Sequence, residues 1–364
     1  MKIKYNAFEK LLVFFAILFK YLIVYGISKK FLYIYLVILS LLVCTDIYTK
    51  KMKKREMIKV IGLFIISVLF IIIYSDVNFY ISFMLALVCI KKDNEDFIKS
   101  FFISSVIIYL STMFLYVIGL LKTHDLIRIS DNGSISKRYS LGFSHPNEVF
   151  LFFLPIALSG YFIYGKKKIF YIILLISSTI LYKLSYCRTG YILIYILIIL
   201  AFLFNRFYKK GSIEKITPYM IFICTIISIV IAVVYGNDLQ NSVCKFLSGR
   251  PYYWNDYIER GKLISIMGKN RIDGYNLDNF YIYMLVELGA LGYMIYSYIY
   301  YTSLKSLKFD HRYVVILMIF FLYGITETNV IIGSIQFLFA TQLTVIIEHK
   351  GLLVKNKFKE KRDY

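Results

Sequence analysis

Residues 216–236 read ITPYMIFICTIISIVIAVVYG, from Ile216 to Gly236, without one charged side chain. A helix rises 1.5 Å per residue, so about 20 such residues match the ~30 Å hydrocarbon core of a bilayer. A helix on a water-soluble core would carry a polar stripe, and this stretch has none. It reads as a membrane span.

Similar runs lie on both sides of it. They fall near 11–28, 31–48, 58–75, 77–90, 97–121, 147–165, 169–184, 190–206, 279–304, 313–327 and 330–347. The expected fold is an all-α polytopic membrane protein of about twelve transmembrane helices. The short Phe/Met-rich run at 77–90 is expected to be tilted or partly buried. Lys20, inside the first run, is expected to snorkel or to face the interior. That run has no small-residue cleavage site behind it and reads as an anchor. Apolar residues make up 59% of the chain and mean hydropathy is +0.67, which excludes soluble enzymes and disordered adaptors. Barrel strands are shorter and alternate. No repeat or Pro/Ser-rich linker divides the chain, so 1–364 reads as one transmembrane domain. Cys44, Cys89, Cys187, Cys224 and Cys244 are scattered without a CxxC, which encodes neither a disulfide framework nor a zinc site.

The charge balance is 43 basic against 22 acidic residues, a net +21. In a soluble chain this would suggest nucleic acid. Here the Lys residues cluster on alternate loops: Lys50 to Lys59, Lys166 to Lys168, Arg206 to Lys215, Lys305 to Arg312, and the tail from Lys355. The positive-inside rule places these loops and both termini in the cytoplasm, with no nucleic-acid partner. The opposite side then holds two long outer loops, 122–146 and 237–278, and tight turns at Cys187-Arg188 and Thr326-Asn329. Most Arg residues fall on this outer side, where a planar guanidinium suits bidentate grip on phosphate. External cysteine labelling in a Cys-free background tests the topology: Ser242→Cys is expected to label and Ser306→Cys is not. The reverse pattern overturns an outward-facing site.

Four outer segments carry the polar residues. The first runs from Arg138 through Gly142-Phe143-Ser144-His145-Pro146-Asn147 to Glu148. Pro146 suits the first turn of a helix and Ser144 its cap, with His145 and Asn147 at the membrane surface. Interfacial capping with one incidental His is the plainer alternative. The second is the Arg188-Thr189-Gly190 turn, whose Arg either faces a wet cavity or snorkels to headgroups. The third, Ser248-Gly249-Arg250 to Trp254, holds the only Trp; on a short helix Arg250 and Trp254 would share a face, or rest on the bilayer. The fourth is Asp278-Asn279-Phe280-Tyr281 with Glu287 about two turns deeper, and Glu327 ends the eleventh span. No outer loop carries an Asp-x-Asp pair, which disfavours a metal-clamping transferase, and no P-loop is present.

Taken in order, these segments resemble the bacterial Wzy-type polysaccharide repeat-unit polymerases, relatives of the O-antigen ligases. The resemblance rests on about twelve spans with cytoplasmic ends, the Gly142–Asn147 segment, Arg188-Thr189-Gly190, Ser248-Gly249-Arg250 to Trp254, and Asp278-Asn279-x-Tyr281 with its following Gly-x-x-Gly. It covers 138–292; the first five spans match in hydropathy alone.

The resemblance implies a GT-C-like, metal-independent, inverting glycosyltransferase of the bacterial cytoplasmic membrane, without cofactor. Its substrates would be undecaprenyl-pyrophosphate-linked oligosaccharide repeats for capsule, exopolysaccharide or O-antigen. A flippase and a chain-length regulator would be its partners beside membrane lipid. Arg250 and Arg188 would stabilise the pyrophosphate leaving group and Asp278 would take the acceptor proton, with His145 the competing base. Arg138, His145, Asn147, Trp254, Asn279, Glu287 and Glu327 would bind substrate. Ligase relatives carry His-Asn where this chain has Asp278-Asn279, which favours a polymerase. The alternatives are a ligase and a lipid-linked oligosaccharide flippase or other transporter; the latter would place polar residues at mid-membrane on broken helices.

Overall fold

The computed structural model describes residues 7–24, 52–75, 77–91, 94–129, 135–207, 216–261, 265–268, 277–306, 311–327 and 335–348, with isolated positions between 36 and 47. Most of the expected span at 31–48, the side chain of Lys20, residues 328 and 329 of the second expected turn and the basic tail lie outside them. The helices are α1 Ala7–Val24, α2 Lys54–Tyr74, α3 Asn78–Cys89, α4 Asn94–Val117, α5 Glu148–Tyr164, α6 Lys168–Ser185, α7 Arg188–Phe207, α8 Met220–Tyr235, α9 Ser242–Phe246, α10 Arg250–Gly261, α11 Phe280–Val286, α12 Gly289–Ser306, α13 His311–Gly324 and α14 Ile335–Glu348. Among the described residues four stretches are long and apolar enough to cross a membrane: α2, α4, α6, and Thr217–Tyr235, where a 3-10 turn with Pro218 leads into α8.

The burial pattern is that of a membrane protein. Inside lie the short helices: α3 is buried from Phe79 to Cys89 and α5 from Val149 to Phe162. Around α3 pack α2 and α14, and around α5 pack α4, α6, α7 and α13. On α6 the inward positions are Leu174, Ser178, Leu181 and Ser185, while Ile169, Ile172, Ile173, Ile176 and Ile180 form an exposed stripe. In water each such Ile would forgo roughly 2 kcal/mol of burial. Apolar patches of this extent belong against lipid. The chain is a helical, membrane-embedded protein.

Three features depart from the sequence expectation. The loop 122–146 holds an antiparallel hairpin, β1 Leu126–Ile129 with β2 Ile135–Arg138, in register Leu126 to Arg138. The expected loop 237–278 holds two helices, α9 and α10. The expected span 279–304 is broken at Glu287-Leu288 into α11 and α12. The break has a backbone cause. The segment 265–268 lies against the start of α12, where Ala290 N–H donates to Ser265 O at 2.9 Å and Leu291 N–H to Ile266 O at 3.0 Å. These carbonyls satisfy first-turn donors that a new helix would otherwise leave unpaired. Gly289, at φ +68, permits the approach: a Cβ there would lie 2.1 Å from the Gly268 nitrogen. Tyr74 Oη closes the other side by donating to Leu288 O at 2.6 Å.

Candidate functional site

Three of the four polar segments meet at Arg250, and the first, Arg138 to Glu148, adjoins them through the bond from Arg138 to Ser185 O at the end of α6. Ser248 and Gly249 are both left-handed, with φ +62 and +80, which turns the chain sharply into α10. Trp254, Tyr257 and Ile258 on α10 form a small second core with Ala232 of α8, Leu277, and Ile282 and Val286 of α11. That core fixes α10, and Arg250 projects from its first residue.

The guanidinium makes three contacts. Nη2 donates to Glu327 Oε1 at 2.9 Å, Nη1 donates to Thr189 Oγ1 at 3.3 Å, and Nε stands 3.5 Å from Asp278 Oδ2. The Arg250 and Glu327 side chains are 15% and 6% exposed, whereas Asp278 is 37% exposed. Burial pushes the Asp278 carboxyl above its usual range, against the pull of the guanidinium. One cation thus faces two carboxylates, a firm buried one and a looser exposed one. The Tyr323 hydroxyl, from the last turn of α13, is buried beside this cluster with no hydrogen-bond partner among the described residues.

Asn279 sets the spacing of the two carboxylates. Its Oδ1 accepts from the Tyr281 and Ile282 N–H groups, both at 3.0 Å, so it is the N-cap of α11. Its Nδ2 donates to Ile325 O at 2.8 Å, and Tyr281 Oη donates to Phe321 O at 2.8 Å. The start of α11 is therefore tied to the end of α13, which puts Asp278 and Glu327 on either side of Arg250. Asp278, expected to act as the base, thus lies just before the cap and takes no part in it.

The Arg188-Thr189-Gly190 turn delivers three separate services. Tyr186, at φ 52, ends α6 and reverses the chain. Arg188 Nη2 donates to Ser248 Oγ at 2.9 Å, joining the turn to the segment before Arg250. Thr189 receives the Arg250 bond. Gly190 lets α7 close on α5, because a Cβ there would lie 2.3 Å from Phe150 Cβ.

Arg138 sits at the end of β2. Its Nε donates to Ser185 O at 2.9 Å and its Nη2 to Asn147 Oδ1 at 2.7 Å. A guanidinium on the last carbonyls of α6 also meets the negative end of that helix. Asn147 N–H donates to His145 Nδ1 at 3.1 Å. That bond occupies Nδ1 as an acceptor and leaves the proton of the neutral ring on Nε2. Burial, and then the Arg138 charge, push the His145 pKa down, so the ring is neutral. His145 has no free basic nitrogen in this arrangement. Ser144 does not cap α5 as expected: its N–H and Oγ both donate to Glu148 Oε2, at 2.9 and 2.8 Å.

Among the described residues, Glu327 is the one expected binding residue that touches the guanidinium; Arg138, His145 and Asn147 form their own network, and Trp254 and Glu287 lie farther apart. Trp254 is buried in the second core, away from any bilayer surface. Glu287 stands at the helix break, where it accepts a hydrogen bond from Tyr257. Thr189, Ser248 and Tyr323 belong to the site but were not singled out from sequence. Thr189 and Ser248 lay inside the chosen motifs, whereas Tyr323 is one of 35 tyrosines and carried no signal. No family model matches this chain, and neither a curated protein nor a solved structure does.

Proposed function

We propose that this protein polymerises undecaprenyl-pyrophosphate-linked oligosaccharide repeats at the outer face of a bacterial cytoplasmic membrane, as a metal-independent glycosyltransferase. In this reading about twelve spans cross the bilayer, both termini are cytoplasmic, and the Arg250 end faces outward. The observation that carries it is the buried Arg250, held by Glu327, Thr189 and Asp278 where three of the polar segments meet. Arg188 borders it through Ser248.

The chemistry follows from these groups. The acceptor sugar hydroxyl attacks the anomeric carbon of the growing chain. The bond from that carbon to the pyrophosphate oxygen breaks, and the lipid pyrophosphate leaves with the electron pair. Arg250 and Arg188 meet the charge that develops on the leaving oxygen. Asp278 takes the hydroxyl proton, since it is the more exposed of the two carboxylates. Arg138, Asn147 and Asn279 hold the backbone around these groups. A flippase would supply the repeats and a chain-length regulator would set the polymer size.

One observation favours transport instead. A helix broken at a carboxylate, as between α11 and α12 at Glu287, is a feature of transporter sites. Deletion of the gene followed by gel analysis of surface glycan separates the readings. Single-repeat products are expected for a polymerase. Loss of all surface glycan with intermediates in the inner leaflet marks a flippase, and long unattached lipid-linked chains mark a ligase.

A further inference from the structure

Among the described residues the Arg250 guanidinium already faces two carboxyl groups, Glu327 and Asp278, so an incoming pyrophosphate meets an occupied cation. The two carboxylates are held differently. Glu327 is 6% exposed and hydrogen-bonded to Nη2 at 2.9 Å. Asp278 is 37% exposed and stands 3.5 Å from Nε, beyond good hydrogen-bond length. Its neighbour Asn279 is locked by three hydrogen bonds, so the Asp278 backbone is fixed while its side chain has a solvent side. Beside this cluster the Tyr323 hydroxyl is buried, with no hydrogen-bond partner among the described residues.

We propose that Asp278 is a carboxylate latch: it occupies the Nε side of Arg250 in the free protein and is displaced by a phosphoryl anion, while Glu327 remains as the permanent partner. The latch rests on the polymerase reading for its physiological ligand, a lipid-linked pyrophosphate, but its chemistry requires only a multiply charged phosphoryl group. The exchange replaces a long contact by the bidentate geometry that guanidinium and phosphate share. It also leaves Asp278 without its cation when donor is bound, so the base is released only when there is a leaving group to expel.

The test is anion binding by the full chain in nanodiscs, measured calorimetrically in chelator, with inorganic pyrophosphate and farnesyl pyrophosphate as the two probes. Asp278→Asn removes the competing charge and is expected to tighten binding about tenfold. Glu327→Gln is expected to give no tightening, and Arg250→Lys to weaken binding about tenfold. Tightening with both probes assigns the site to the phosphoryl group itself; tightening with farnesyl pyrophosphate alone assigns it to a lipid-linked source. Should Asp278→Asn fail to fold, Asp278→Ser removes the same charge and carries the same expectation. Unchanged or weaker binding in the Asp278 variants, equal tightening by Glu327→Gln, or no binding of either probe to any form overturns the latch. The glycan gel of the deletion strain decides the polymerase reading independently, so the two can fail separately.

Discussion

Cells whose only copy carries Arg250→Lys are expected to make single-repeat glycan in place of long polymer, with the protein at normal level in the membrane. Lys keeps the charge, so Glu327 retains a cation and the buried pair is not broken. What is lost is the fork: Arg250 bonds Glu327 through Nη2 and Thr189 through Nη1 while Nε faces Asp278, and a single ammonium cannot hold that pattern. Removing one preorganised donor from a developing oxyanion costs about 10²–10³-fold in rate. Arg250→Ala is a less informative variant, because a buried Glu327 left alone costs about 3–5 kcal/mol and the chain would be lost before it could be assayed. Arg250→Met combined with Glu327→Leu is expected to restore the level and not the polymer. Arg188→Lys is expected to lose polymer with little change in level, since Arg188 is tied to Ser248 at the surface. Normal chain length from Arg250→Lys at normal level would remove Arg250 from the chemistry.

Asp278→Asn is expected to yield a folded protein that binds donor and fails to extend it, with a rate loss of about 10²–10⁴-fold. The fold should survive because the α11 cap belongs to Asn279, which keeps its bonds to Tyr281, Ile282 and Ile325. The substitution therefore separates proton transfer from helix capping. His145 is a poor substitute base, since its Nδ1 already accepts the Asn147 N–H. Kinetics with lipid-linked repeats should show a fall in kcat without a rise in KM for the donor. Long polymer at near-normal rate from Asp278→Asn would return Asp278 to a purely ionic role beside Arg250.

The sequence carried the membrane class and the membership of the site further than it carried local geometry. Apolar runs such as 216–236 and 169–184 are helices, since a bilayer leaves the backbone no other partner. Three of the four polar motifs meet at Arg250 because each closes a loop at the same end of the bundle. Within them, neighbouring residues exchanged roles. Asn279 and not Asp278 caps α11, because the residue whose backbone is extended, at φ −154, is selected by packing against α13. The break at Glu287 was invisible because it depends on backbone bonds to residues 265–266, more than twenty positions earlier in the chain. The hairpin did leave a trace: Leu126-Ile127-Arg128-Ile129 and Ile135-Ser136-Lys137-Arg138 flank Asp131-Asn132-Gly133, a turn signature overlooked among the apolar runs.

The most direct test of the central claim is polymerisation by the purified protein, given lipid-linked repeat units in excess chelator and resolved by length on a gel. The account predicts chains of many repeats, made by the wild type and absent with Arg250→Lys. Single repeats alone, or a product that appears only when Mg²⁺ or Mn²⁺ is restored, would contradict it.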